Sequence, residues 1–119
     1  YSDGVLVEKL MQTDTTVIGQ KIVYPTSNDA EITIAKVTIP SGKQTGWHKH
    51  KIPVFAYVVQ GELTVETENG QVVTYPKNAT ISEVFDTFHN GYNKGKDDVV
   101  LIAVYLGGKG MLLSEKKEN

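Results

Sequence analysis

Turn signals interrupt this chain every few residues, and the stretches between them are rich in Val, Ile and Thr with no sustained helical apolar period. Where apolar residues recur, they recur at every second position. Leu63 and Val65 alternate with Glu62, Thr64 and Glu66, as in a strand with one face on a core and one in water. Further strands are predicted over 5–11, 15–24, 31–40, 44–51, 55–60, 71–75, 80–84, around His89 and over 99–106. Asn69-Gly70 predicts a type I′ hairpin, because both central residues of that turn need positive φ. About ten short strands at this spacing predict an all-β fold, a sandwich or a barrel. A length of 119 residues makes one domain over 1–119, and the charged segment 114–119 is expected to fray.

Two absences narrow the chemistry. There is no cysteine, which excludes disulfides, thiolate metal sites, iron–sulfur clusters and thiol nucleophiles together. All 12 of the Lys+Arg residues are lysine, so no bidentate arginine clamp can form on a carboxylate or phosphate. A net charge of −2 without a basic block argues against nucleic acid and anionic membrane as partners, and no apolar run is long enough for a transmembrane helix. The first residue is Tyr1 rather than Met, which favours a periplasmic or secreted chain with a processed leader over a cytoplasmic one.

The only histidines are His48, His50 and His89. On an extended segment His48 and His50 project to the same face. Two imidazoles side by side begin a divalent-metal site, to which His89 could add a third from a distant strand. The alternative is a core histidine at 48 and an exposed one at 50 between Lys49 and Lys51.

Gly42, His48, His50 and Gly61 match the pattern Gly-x5-His-x-His-x3-Glu-x6-Gly, with Val54 in the place of the glutamate. His89-Asn90-Gly91-Tyr92-Asn93 matches a second pattern, His-x3-Asn. In these two segments, 42–61 and 78–93, the chain resembles the cupin superfamily, in particular its small single-domain, metal-binding members. Upstream of His89 the match is looser: Asn78 and Asp86 stand where glycines are usual, and Val84 stands for a proline. The resemblance implies a cupin-type antiparallel β-barrel, or jelly roll. It also implies one divalent metal held by His48, His50 and His89, with Fe, Mn, Ni, Cu and Zn all compatible with imidazole.

A site without its glutamate keeps open positions for water, substrate or O₂, and resembles that of cupin-type dioxygenases. Dioxygenase-like chemistry on a small molecule is therefore the leading expectation, followed by lyase or isomerase chemistry. The alternative is a non-catalytic metal- or small-molecule-binding protein. Glu83 is the acidic residue placed to substitute for the missing carboxylate, as a fourth ligand or as a catalytic base. Trp47, Val54, Tyr57, Phe88 and Asn93 are candidate pocket residues, Val54 as an apolar wall and Asn93 as a loop-shaping hydrogen bonder; Tyr105 could also line the pocket. Edge strands need cover, so a homodimer is expected, with 5–11 crossing or lining its interface.

Overall fold

The computed structural model describes residues 2–118. Nine strands follow in chain order: β1 (Ala30–Ile39), β2 (His48–Lys49), β3 (Val54–Gln60), β4 (Leu63–Thr67), β5 (Val72–Tyr75), β6 (Thr80–Ser82), β7 (His89–Tyr92), β8 (Val99–Gly108) and β9 (Glu115–Lys116). They form two antiparallel sheets, a four-stranded one in the order β1-β8-β3-β6 and a five-stranded one in the order β5-β4-β7-β2-β9. This is the all-β architecture that the strand spacing predicts, in the jelly-roll form that the resemblance implies.

The period-two pattern decides what is inside. Val37 and Ile39 of β1 stand opposite Leu101 and Val99 of β8, and Ala56 of β3 stands opposite Ala103. Together with Val58, Leu63 and Ile81 these strands build an apolar core. The alternate positions face outward, which leaves Ile32 and Ile34 60% and 69% exposed.

Three motif positions depend on backbone that an ordinary side chain resists. Gly61 turns the chain from β3 into β4 with φ +77°, and a Cβ there would lie 2.8 Å from the Asp98 carbonyl oxygen. Asn78 and Asp86 adopt φ 74° and 48°. They are the positions where the resemblance leads one to expect glycine, and Asn and Asp are the non-glycine residues that tolerate this region best. The departures in sequence therefore keep the backbone shape.

Several expectations are corrected. Residues 5–11 form no strand; Val5, Leu6, Val7 and Leu10 are each more than half exposed. Apolar, β-prone composition is not enough without a neighbouring edge to pair with. Residues 15–24 make a turn closed by a single Thr15–Lys21 bridge, and Gly19 supplies its positive φ. Of 44–51 only His48–Lys49 is strand, because the chain bends at 51–52. At Asn69-Gly70 only Gly70 has positive φ, and its N–H donates to the Thr67 carbonyl. That is a type I turn followed by a left-handed glycine, not a type I′ turn. Finally, Glu115 and Lys116 pair with β2 instead of fraying; Asn119 lies outside the described residues.

Candidate metal centre

The three histidines reach one point from two strands and the bend that follows. His48 of β2 and His89 of β7 are direct antiparallel partners, so their side chains share a face. His50 follows β2 by period two. Their ligand nitrogens lie within 4.8 Å of one another, and the ring centroids are 4.4–5.0 Å apart. Two atoms bound at ~2.1 Å to one ion can be no more than ~4.2 Å apart. At a tetrahedral angle the separation is ~3.4 Å, so the widest pair would close by roughly an ångström to share one ion.

The backbone sets the tautomers. Each Nδ1 meets a carbonyl oxygen: Gly46 at 2.7 Å for His48, Leu113 at 2.9 Å for His50 and Thr87 at 2.9 Å for His89. A carbonyl only accepts, so each Nδ1 carries the proton and donates it. Each neutral ring then presents a bare Nε2 lone pair, the arrangement typical of metal-bound imidazoles. His89 Nε2 is buried with no hydrogen-bond partner, alone in this among the described residues. A buried acceptor without a donor is costly, and a cation satisfies it. The residues thus fit a divalent ion.

Glu83 enters the same site. The register that pairs Phe55 with Ser82 puts Glu83 directly opposite Val54, and the Glu83 N–H donates to the Val54 carbonyl at 3.0 Å. Partners across an antiparallel pair share a face. The carboxylate therefore sits one strand over from the position where the resemblance leads one to expect it. Its Oε2 lies 3.6 Å from His50 Nε2 and 3.7 Å from His89 Nε2. Burial alone would raise its pKa, but the attraction of the two adjacent imidazoles whenever they carry a proton holds it down at about 2. The opposing effect appears on His89: burial works against its charge, yet the Glu83 carboxylate raises its pKa. His48, held down by burial, is kept neutral. A metal bound at these nitrogens would compete with protonation of His89.

The cavity in front of the histidines has a volume of about 260 Å³. Its walls include Ala56, Leu101 and Ala103, and its polar lining beyond the metal residues comes from Thr45, Tyr105, Ser114 and Lys116. The Tyr105 ring packs edge-on 5.9 Å from His50, and burial together with the nearby Glu83 charge raises its pKa, so its hydroxyl keeps its proton.

The remaining expected pocket residues fall elsewhere. Val54 is buried on the inward face of β3, beside Glu83 rather than on the histidine cavity. Tyr57 is on the opposite face and donates to Asn78 Oδ1 at 2.9 Å. Trp47 and Phe88 stack beneath Lys117, and Phe88 also beneath Lys49. Asn93 is buried and ties the loop after β7, donating to the Ile39 and Asp97 carbonyls at 2.9 and 2.7 Å. Sequence reasoning missed the contribution of the C-terminal segment, which supplies the Leu113 carbonyl, Ser114 and Lys116. The one available signal was the Met111-Leu112-Leu113 run ahead of the charged tail.

Solved structures with the same fold include a cupin-like protein from Thermotoga maritima, 15% identical with TM-score 0.65, where the match covers 74% of this chain and 65% of that one. A predicted oxalate decarboxylase from Thermotoga maritima is 26% identical with TM-score 0.57, covering 71% and 70%. A DMSP lyase from Ruegeria pomeroyi is 12% identical with TM-score 0.63, covering 72% of this chain and only 43% of the lyase. No curated protein matches the sequence. The family profile described as cupin domain matches residues 35–105, more than half of the chain and all of the segment that carries the three histidines. With the two-sheet fold beneath that match, the chain belongs to the cupin domain family.

Proposed function

We propose that this protein is a divalent-metal enzyme acting on a small, oxygen-donor organic molecule by lyase- or decarboxylase-type chemistry. His48, His50 and His89 hold the metal, and Glu83 completes the donor set. The observation that carries this reading is the carboxylate of Glu83, 3.6 and 3.7 Å from two bare imidazole nitrogens inside a cavity. The dioxygenase expectation rested on a site without a carboxylate. A carboxylate donor makes the resemblance to that site less close, and the similarity to a predicted oxalate decarboxylase, 26% identical, supports the lyase direction.

The metal would polarise the oxygen atoms of a bound substrate and stabilise negative charge that develops on them. The protein's own groups do the rest. Lys116 places a positive charge at the cavity, the role that arginine cannot fill in this chain. Tyr105 keeps a proton to donate to a substrate oxygen. Ala56, Leu101 and Ala103 exclude water from one side, which strengthens each of these interactions.

The test is elemental analysis of protein purified without a polyhistidine tag, followed by a screen of small carboxylates that follows CO₂ release and O₂ uptake in parallel. CO₂ or an eliminated product without O₂ uptake supports the reading. Coupled O₂ uptake would establish the dioxygenase instead, and metal without any turnover would establish a binding protein.

A further inference from the structure

A second cavity, of about 330 Å³, shares Glu83, His89 and Val65 with the first as lining residues. It lies where the barrel is open, between β5, the edge of one sheet, and β6, the edge of the other. The turn at 15–22 closes this gap from outside. Its Val17 N–H donates to the Ser82 carbonyl at 2.9 Å, and Ser82 Oγ donates to the Thr15 carbonyl at 2.9 Å. Gln20 pins the turn further, donating to the Phe85 carbonyl at 2.7 Å and accepting from the Phe85 N–H at 2.8 Å.

The two cavities differ in chemistry. The first carries Lys116, Thr45, Ser114 and Tyr105. The second is walled mainly by Val17, Ile18, Val73, Ile81 and Val84, with Thr67 and Gln71 as its polar lining beyond the shared residues, and no lysine lines it. Apolar walls around a volume of that size favour hydrocarbon over water. Glu83 and His89 of the metal site, with Val65, line both.

We infer that the substrate is an amphiphile, with an oxygen-donor head at the histidines and Glu83 and a hydrocarbon body of several carbons in the lobe behind Val17 and Ile18. The inference rests on the metal-enzyme reading above and extends it by naming the substrate class: a medium-chain carboxylate or enolate rather than a two-carbon acid. Ile18 and Val73 are then specificity residues for chain length.

The experiment is calorimetric titration of the full zinc-loaded chain with acetate, butanoate, hexanoate and octanoate, with zinc content measured on the same samples. Affinity is expected to rise about fourfold per added methylene until the lobe is full. Ile18→Asp should flatten the series. Val73→Thr, nearly isosteric and therefore safe for folding, should lower the octanoate-to-acetate ratio several-fold. A flat series in the unmodified chain overturns the inference, and so does a gradient that both variants leave intact. A protein that holds zinc but shows a flat series loses the apolar lobe alone. A protein that keeps the gradient but takes up no zinc loses the metal reading and keeps the lobe.

Discussion

Glu83→Gln is the substitution that probes the donor set most sharply. It keeps shape and removes charge. The Glu83 side chain is only 16% exposed, and its pKa is held at about 2 against an ordinary 4.5. At about 1.4 kcal/mol per pKa unit, that shift corresponds to roughly 3 kcal/mol of preference for the ionised form, an order-of-magnitude figure. The same preference is what a bound cation would draw on in place of a proton. Loss of the carboxylate is therefore expected to weaken metal binding on the order of 10–100-fold, or about 1.4–2.8 kcal/mol. Competition with a chromophoric chelator at neutral pH reads this directly, with His89→Ala as the reference for loss of a ligand. If Glu83→Gln binds metal within about threefold of the parent while His89→Ala does not bind, Glu83 is not a ligand. A fall of roughly 10²–10⁴ in turnover at full metal content would make it a proton carrier instead.

Three further outcomes follow from the geometry. Because Val54 and Glu83 face each other across β3 and β6, the double variant Val54→Glu/Glu83→Val should recover most of the affinity that Glu83→Val loses; a double variant no better than the single one would refute the exchange. In the metal-free protein the raised pKa of His89 gives stability that is full below about pH 6.5 and is lost as pH rises through its folded value. The lowered pKa of Glu83 gives stability present above about 4.5 and lost as pH falls toward about 2. Urea unfolding of the metal-free protein should accordingly peak between roughly pH 4.5 and 6.5, whereas metal occupancy should fall on acidification as His89 protonates; coincident pH profiles would contradict this. Gly61→Ala, with φ +77° and a Cβ 2.8 Å from a carbonyl oxygen, should cost at least about 2 kcal/mol in denaturant unfolding, and a loss under 0.5 kcal/mol would show that the turn relaxes freely.

What the sequence reveals of this fold depends on whether a signal is local. β1, β3, β4, β5, β6 and β8 lie within a few residues of where alternation places them, because a half-buried strand writes period two into its own residues. Residues 5–11 carry the same composition and remain unpaired, since pairing depends on a neighbour that no local pattern reports. The histidines were legible because side-chain identity and spacing carry the ligand chemistry. The facing of Val54 was legible, but Tyr57, at a half-exposed position of the same strand, points outward to Asn78. The Leu113 carbonyl that orients His50 leaves no trace, because a backbone acceptor has no residue type. Glu83 shows as an acidic residue near a motif, yet its pairing with Val54 emerges only from the register of β3 and β6.

The most direct measurement is the metal content of untagged protein, parent and His48→Ala/His50→Ala/His89→Ala triple variant side by side, after growth in medium containing Mn, Fe, Ni, Cu and Zn. Three imidazoles whose Nδ1 protons are all committed to carbonyls, with one Nε2 buried and unpartnered, predict about one divalent ion per parent chain and almost none in a folded triple variant. A parent chain without metal that also fails to take it up from micromolar solution, or a triple variant that keeps its metal, would contradict the assignment of this site.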